Sequence, residues 1–192
     1  MFIDDAADEA ARLRVGREVL PSSELDALRD SGFTDVIIAI GDNRTRARRY
    51  AEAIARGLDA VSVIHPAAFV SKDTSIGEGT VVMPLAAINA GARIGADCTV
   101  NTGAIVEHDC VVGDHSHVAP GAALGGGVAV GTFAFIGMKA SVLPLVEIGA
   151  GSIVGAGSVV LKSVPAGETV AGVPAALIRK HAAVREAGAQ CS

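Results

Sequence analysis

Between Ile64 and Val160 every sixth residue is aliphatic, running Ile64, Val70, Ile76, Val82, Ile88, Ile94, Val100, Val106, Val112, Val118, Leu124, Val130, Ile136, Val142, Ile148, Val154 and Val160 with no insertion. A period of six matches neither an amphipathic helix nor a single long strand, so this stretch must be a stack of short units that each turn a corner. The residue two before each aliphatic is small or β-branched throughout, as at Ala86, Ala92, Cys98, Ala104, Cys110 and Ser116. Residues two apart in a strand share a face, so both point inward. Each hexad reads as a short strand plus a two-residue corner. Three residues after the aliphatic stand Gly79, Gly91, Gly103, Gly121, Gly127, Gly151 and Gly157, or Asp73, Asp97 and Asp109. Those residue types tolerate the positive φ that a tight bend demands. Three such sides close a triangular coil, each stacked about 4.8 Å above the last. The expected fold is mainly β, a parallel β-helix of about five coils held by nearest-neighbour stacking.

Composition agrees with so narrow an interior. Half of the 192 residues are hydrophobic, yet 3% are aromatic and none is Trp, so the core is built from Val, Ile and Ala. A formal charge of −5 without a basic run excludes the clustered Lys/Arg footprint of a nucleic-acid binder. The acidic start MFIDDAADEA resembles no signal or transit peptide, and no apolar run is long enough to span a membrane, so a cytoplasmic protein without membrane insertion is expected. Cys98, Cys110 and Cys191 lack metal-type spacing. The first two occupy inward positions, where a thiol serves as a small hydrophobe.

Residues 1–64 follow a different grammar. Phe2-Ile3-Asp4-Asp5 reads as the end of a short strand, and Ser22-Ser23-Glu24 as the start of a helix through Leu28. The run from Asp35 to Gly41 reads as a buried parallel strand, Arg44 to Arg56 as a helix ended by Gly57, and Ala60 to Ile64 as the next strand. That alternation predicts a small α/β unit. The coils then occupy 65–166, and 167–192 forms a tail whose Ala175–Ala187 segment is expected to be helical and to cover the open end of the stack.

Three of the five histidines fall within one coil, at His108, His115 and His117. The repeat puts His108 and Asp109 at one corner and His115 at the next. His117 then points outward from the side opposite His108, so the two should meet only across a subunit boundary. A lone surface histidine is most often merely solvated, but a flat prism gives no reason to cluster imidazoles with carboxylates. A histidine whose carboxylate neighbour fixes its tautomer is suited to general-base work near neutral pH, with Asp109 the first candidate orienter and Glu107 the second. Eighteen residues after His108, at the same corner one coil on, is Gly126 within Gly125-Gly126-Gly127, where backbone N–H groups are open to a carbonyl or thioester.

The segments Ile88-Asn89-Ala90, Asn101 through Cys110, Ser116-His117-Val118 and Gly172-Val173-Pro174-Ala175 together resemble bacterial hexapeptide-repeat sugar acetyltransferases of the sialic-acid O-acetyltransferase and UDP-4-amino-sugar N-acetyltransferase type. The resemblance implies a left-handed β-helix behind a Rossmann-like α/β domain, in homotrimers with active sites between neighbouring chains. It implies His108 as general base, Asp109 as its orienter, and His117 and Gly126 at the acetyl-CoA site. It places Asp4, Asp5, Gly41, Asn43 and Asn101 toward the nucleotide-linked amino sugar. Lys139, Lys162, Arg179 and Lys180 are candidates for the coenzyme phosphates, although a solvated surface position is the commoner role for each. The glycine-rich phosphate loop that normally opens the family's first domain has no counterpart here, the chain starting at a strand that resembles the family's second. No metal is implied. Three alternatives to sugar N-acetylation stay open: O-acetylation of a sugar hydroxyl, a non-catalytic trimeric scaffold, and a zinc hydratase of the γ-carbonic-anhydrase type with interface histidines.

Overall fold

The structure is a computed structural model that describes residues 1–5 and 18–181. From Val63 onward two-residue strands recur every six residues, each pairing in parallel with the strands eighteen residues before and after it, as Thr99 does with Val81 and His117. Eighteen residues per coil gives three faces. The first holds Val63–Ile64, Val81–Val82, Thr99–Val100, His117–Val118, Phe135–Ile136 and Ile153–Val154. The second runs from Phe69–Val70 to Val159–Val160, and the third from Ser75–Ile76 to Glu147–Ile148.

The aliphatic column and its small partners form one continuous core, with Val100, Val106, Val118, Leu124, Ile136 and Val154 wholly buried among Ala104, Cys110, Ala122 and Ala140. Cys98 and Cys110 lie in it as expected, and burial pushes the Cys98 thiol up to about 12, far from a reactive thiolate. Cys191 lies outside the described residues. From Gly79 to Gly157 every sixth residue has positive φ, whether glycine or not: Leu85, Asp97, Asp109, His115, Phe133, Lys139 and Leu145 fill the intervening corners. Geometry therefore governs the corner, and side chains of many kinds are forced into it. Asp73, grouped with these residues on sequence, does not adopt that conformation.

A second rule acts at the corner between the third and first faces. Gly77, Gly95, Gly113, Gly131 and Gly149 stack there at eighteen-residue intervals, and a Cβ on Gly113 would lie 2.7 Å from the backbone nitrogen of Thr132 in the next coil. Only hydrogen fits between coils at this edge.

The N-terminal region has its own small core of Ile38, Ala53 and Leu58, with Leu25, Val36, Ile40 and Tyr50 packed on it. Strand β1 (Phe2–Ile3) pairs in parallel with β2 (Val19–Leu20), helix α1 spans Leu25–Asp30, and β3 (Asp35–Val36) pairs in parallel with β4 (Asp59–Ala60). Helix α2 (Asn43–Ala55) matches the expected segment, its first turn capped by the Asp42 carboxylate accepting from the Thr45 N–H at 2.8 Å, its end followed by Gly57 at φ +77°.

Three expectations need correction. The strand expected over Asp35–Gly41 is paired only over two residues, because β3 has a single neighbour, and Ile37 is left 39% exposed. The strand expected over Ala60–Ile64 is two strands, since β4 belongs to the α/β region while Val63–Ile64 opens the first face. The tail is no helix over Ala175–Lys180: it is an antiparallel strand against Glu168–Gly172, which itself extends the first face beyond Ile153–Val154. The last coil's unpaired backbone is met by strand pairing, and that requirement outweighs helix propensity. Residues 182–187 of the expected helix lie outside the described residues.

Candidate active site

His108 and Asp109 turn the corner between the second and third faces, with Asp109 at φ +59°. Stacking fixes this corner, since the Asp109 N–H donates to Ala90 O at 2.9 Å and the Gly127 N–H to His108 O at 2.8 Å. Glycines above and below make room for both side chains. A Cβ on Gly91 would come 2.6 Å from Asp109 Oδ1, and one on Gly126 would come 2.5 Å from His108 Nε2.

Asp109 Oδ2 lies 2.9 Å from His108 Nδ1, and the imidazole is 63% exposed. The hydrogen bond to Asp109 is the main reason that the His108 pKa is raised, with the charges of Asp109 and Glu107 adding to it against desolvation. Of the two carboxylates, Asp109 is the one bonded to the ring, and Glu107 contributes charge alone. With its Nδ1–H donated to the Asp109 carboxylate, the neutral ring keeps an Nε2 lone pair beside Gly126, able to accept a proton.

A second cluster forms on the first face, across the triangle from His108. His117 points away from the coil axis as expected but is only 8% exposed, under the N-terminal region and edge-on to Phe135 at 5.1 Å. Its Nδ1 lies 3.4 Å from Gly41 O and its Nε2 3.1 Å from Asn101 Nδ2. Since Asn101 Oδ1 accepts from the Thr102 N–H at 2.8 Å, the amide nitrogen is the atom turned to the ring, which holds His117 as a neutral Nδ1–H tautomer. Burial lowers the His117 pKa, opposed by the Gly41 contact and helped by the Arg46 charge. Asn101, His117, Pro120, Phe135 and Met138 line a cavity of about 270 Å³ here.

The other sequence candidates are spread out. Asn43 is buried and donates its amide to Phe133 O and Ala134 O at 3.2 and 3.1 Å, which docks α2 on the coils. Asp5 accepts from the Ser22 N–H and hydroxyl at 2.7 and 2.9 Å and pairs with Arg49, so its carboxylate braces the start of α1. Asp4 and Asp5 line a cavity of about 790 Å³ in the N-terminal region with Phe2, Leu25, Leu28 and Phe33. Lys139, Lys162 and Arg179 are exposed, and Lys180 pairs with Glu168 at 3.0 Å. His115 bonds Asp97 at 2.9 Å through Nδ1, so the three clustered histidines face three different surroundings, and among the described residues no three metal-type ligands converge.

Sequence reasoning passed over Arg46, Tyr50 and Phe133. The signal existed: Asn43, Arg46 and Tyr50 share one face of α2 at helical spacing, and Arg46 is 1% exposed.

A three-sided β-helix with an imidazole–carboxylate pair at a corner is the setting of a hexapeptide-repeat protein, and residues 91–126 match the family described as bacterial transferase hexapeptide (six repeats). Among curated sequences, a 2,3,4,5-tetrahydropyridine-2,6-dicarboxylate N-acetyltransferase of Clostridium perfringens is 57% identical over 44 residues, 23% of this chain and 19% of that relative. Solved structures match far more of the chain. A histidine variant of perosamine N-acetyltransferase from Caulobacter crescentus, in complex with CoA and GDP-perosamine, is 43% identical with TM-score 0.85, covering 86% of this chain and 80% of that one. The acetyltransferase domain of PglB from Neisseria gonorrhoeae with acetyl coenzyme A is 36% identical with TM-score 0.86, covering 92% and 85%. WeeI from Acinetobacter baumannii is 31% identical with TM-score 0.84, covering 92% and 84%. The chain belongs to the hexapeptide-repeat, acetyl-CoA-dependent sugar N-acetyltransferases.

Proposed function

We propose that this protein transfers acetyl from acetyl-CoA to the amino group of a nucleotide-linked amino sugar, by direct attack within a ternary complex. The observation that carries this reading is His108 itself, an accessible imidazole whose Nδ1 is tied to Asp109 and whose Nε2 lies beside Gly126. The sugar nitrogen attacks the thioester carbonyl carbon while His108 Nε2 removes its proton. Asp109 supports the imidazolium, and the Gly126 N–H polarises the carbonyl oxygen. When the C–S bond breaks, the proton passes to the departing sulfur and leaves an N-acetyl sugar and CoA. Proximity does most of the work, since an amine attacking a thioester needs placement more than activation.

The sugar nucleotide reaches the site from the N-terminal side, toward Asp4, Asp5, Gly41, Asn43 and Asn101, and acetyl-CoA lies along the coils by His117 and Gly126, with Lys139, Lys162, Arg179 and Lys180 toward its phosphates. The relatives bound to CoA, acetyl-CoA and GDP-perosamine support both halves of this reading. His108 and His117 stand on opposite sides of one chain, so the complete site is formed in a homotrimer where the His108 corner of one chain faces the His117 cavity of its neighbour. Among the described residues no helix is long and apolar enough to cross a membrane, which suits work in the cytoplasm on a diffusible sugar nucleotide.

The test offers acetyl-CoA with a panel of nucleotide-linked 4-amino sugars and their 4-hydroxy counterparts, and follows release of the CoA thiol. Release with an amino sugar and none with its hydroxy counterpart is expected. Equal release with the hydroxy sugar would convert the reading to O-acetylation, and silence across the panel would overturn it.

A further inference from the structure

Beneath α2 a single guanidinium touches almost everything that joins the N-terminal region to the coils. Arg46 Nε donates to Asp97 O at 2.9 Å, Nη1 to Ile40 O at 3.2 Å, and Nη2 to His115 O and Ser116 O at 2.8 and 3.3 Å. Its Nε also lies 3.3 Å from Asp97 Oδ1. With that hydrogen aimed at the Asp97 carbonyl, Oδ1 forms an ion pair but no hydrogen bond. The other carboxylate oxygen meets His115 Nδ1 at 2.9 Å, and His115 stacks on Phe133 at 4.8 Å and lies edge-on to Tyr50 at 5.9 Å. Arg46 and Asp97 are both buried, at 1% and 0% exposure.

What this fork holds is informative. Ile40 immediately precedes Gly41, whose carbonyl faces His117 Nδ1, and His115 and Ser116 immediately precede His117 itself. One side chain therefore clamps the two backbone segments that meet at the His117 ring. We propose that Arg46, braced by Asp97 and His115, is a positioning residue that locks the Ile40–Gly41 segment onto the His117–Asn101 cavity and so sets the spacing between the two substrate halves of the site. A planar fork is needed because its donors must reach carbonyls on three separate segments at once, which an ammonium on a flexible stem cannot do. Arg46 touches no substrate and acts only through what it holds. The titratable groups that feel its charge are Asp42 at the start of α2 and Cys98 and His117 in the coils, with Asp97 paired to it and His115 bonded to Asp97 in turn.

The deciding variant is Arg46→Lys, which keeps the charge and removes the fork. His117 is followed through the Cε1–H resonance of selectively labelled protein, assigned by its loss in His117→Gln. In Arg46→Lys the Gly41 carbonyl draws away, water reaches the ring, and the His117 titration midpoint moves up toward the ordinary imidazole value, while that of His108 stays put. The kinetic arm rests on the acetyl-transfer reading above. There kcat/KM falls by about 10- to 100-fold, carried by higher KM for both acetyl-CoA and the sugar nucleotide. A residue with only a structural role would lower the active fraction, and so kcat, while leaving both KM values unchanged. An unmoved His117 midpoint in folded Arg46→Lys, or unchanged KM values, overturns the proposal. If the wild-type protein transfers no acetyl group, the function proposed above fails and the His117 titration still decides the clamp. Should Arg46→Lys yield no folded protein, His115→Phe gives the same two readings, expected to shift in the same direction by a smaller amount.

Discussion

At His108 one ring nitrogen is committed to Asp109 and the other is left open, and if His108 is the base proposed above, this asymmetry sets the pH dependence of acetyl transfer. A base works when neutral, so activity is lost as pH falls through the His108 pKa, which Asp109 holds above its ordinary value. Asp109→Asn removes the charge that favours the imidazolium. The acid limb of kcat/KM should therefore move to lower pH, while the plateau at high pH falls about tenfold or more as the ring loses its orienter. A pH–rate profile of the two proteins checks both signs, and an unmoved limb would take the titrating group away from His108. The pairing of His108 with Gly126 was legible in the sequence, because an eighteen-residue step is a vertical neighbour once the repeat is known. The roles of Arg46 and Asn43 were not, since a repeat predicts contacts between coils and is silent on what docks against them. Asp5 shows a related limit: its carboxylate accepts from Ser22 and pairs with Arg49, contacts across the α/β region that no local pattern announces.

The hexad dictates each strand to the residue, whereas the irregular elements yielded less. Strand pairing in the N-terminal region spans two residues at a time, too short for period-two alternation to show. The Ala175–Lys180 segment carries helix-compatible residues yet serves as a strand, because an open sheet edge is a tertiary demand with no local signature. The eighteen-residue glycine column from Gly77 to Gly149 was on view in the sequence and marks the three-sided repeat independently of the hexads. It also separates two reasons for a corner glycine. Gly103 has φ +63° with open space where a Cβ would go, so Gly103→Ala should cost only the left-handed backbone strain, about 1–2 kcal/mol. Gly113→Ala drives a methyl into backbone atoms of the next coil that cannot rotate aside, and should cost at or above the roughly 3 kcal/mol reached by ordinary overpacking. Denaturant midpoints of the two variants test that order, and Gly103→Ala proving the worse would mean that corner conformation, and not stacking distance, limits these coils.

At the scale of the whole molecule, one chain holds two histidine clusters that its own geometry keeps apart. His108 sits where the second face meets the third, and His117 lies within the first face, across the triangle. A rigid stack with a continuous aliphatic core cannot bend to bring them together. If the acetyl-transfer site needs both, a second chain must supply one of them, and threefold closure places every His108 corner against a neighbour's His117 cavity. This arrangement makes a sharp demand on mixed assemblies. Chains carrying His108→Ala and chains carrying His117→Gln should each be nearly inactive alone. Unfolded together and refolded as a random mixture, they would place an intact His108 opposite an intact His117 at about a quarter of the interfaces, so activity should return to about that fraction of wild type. Light scattering on the same samples reports the assembly state. No recovery after verified exchange would put both histidines to work within a single chain and dissolve the reason for the trimer.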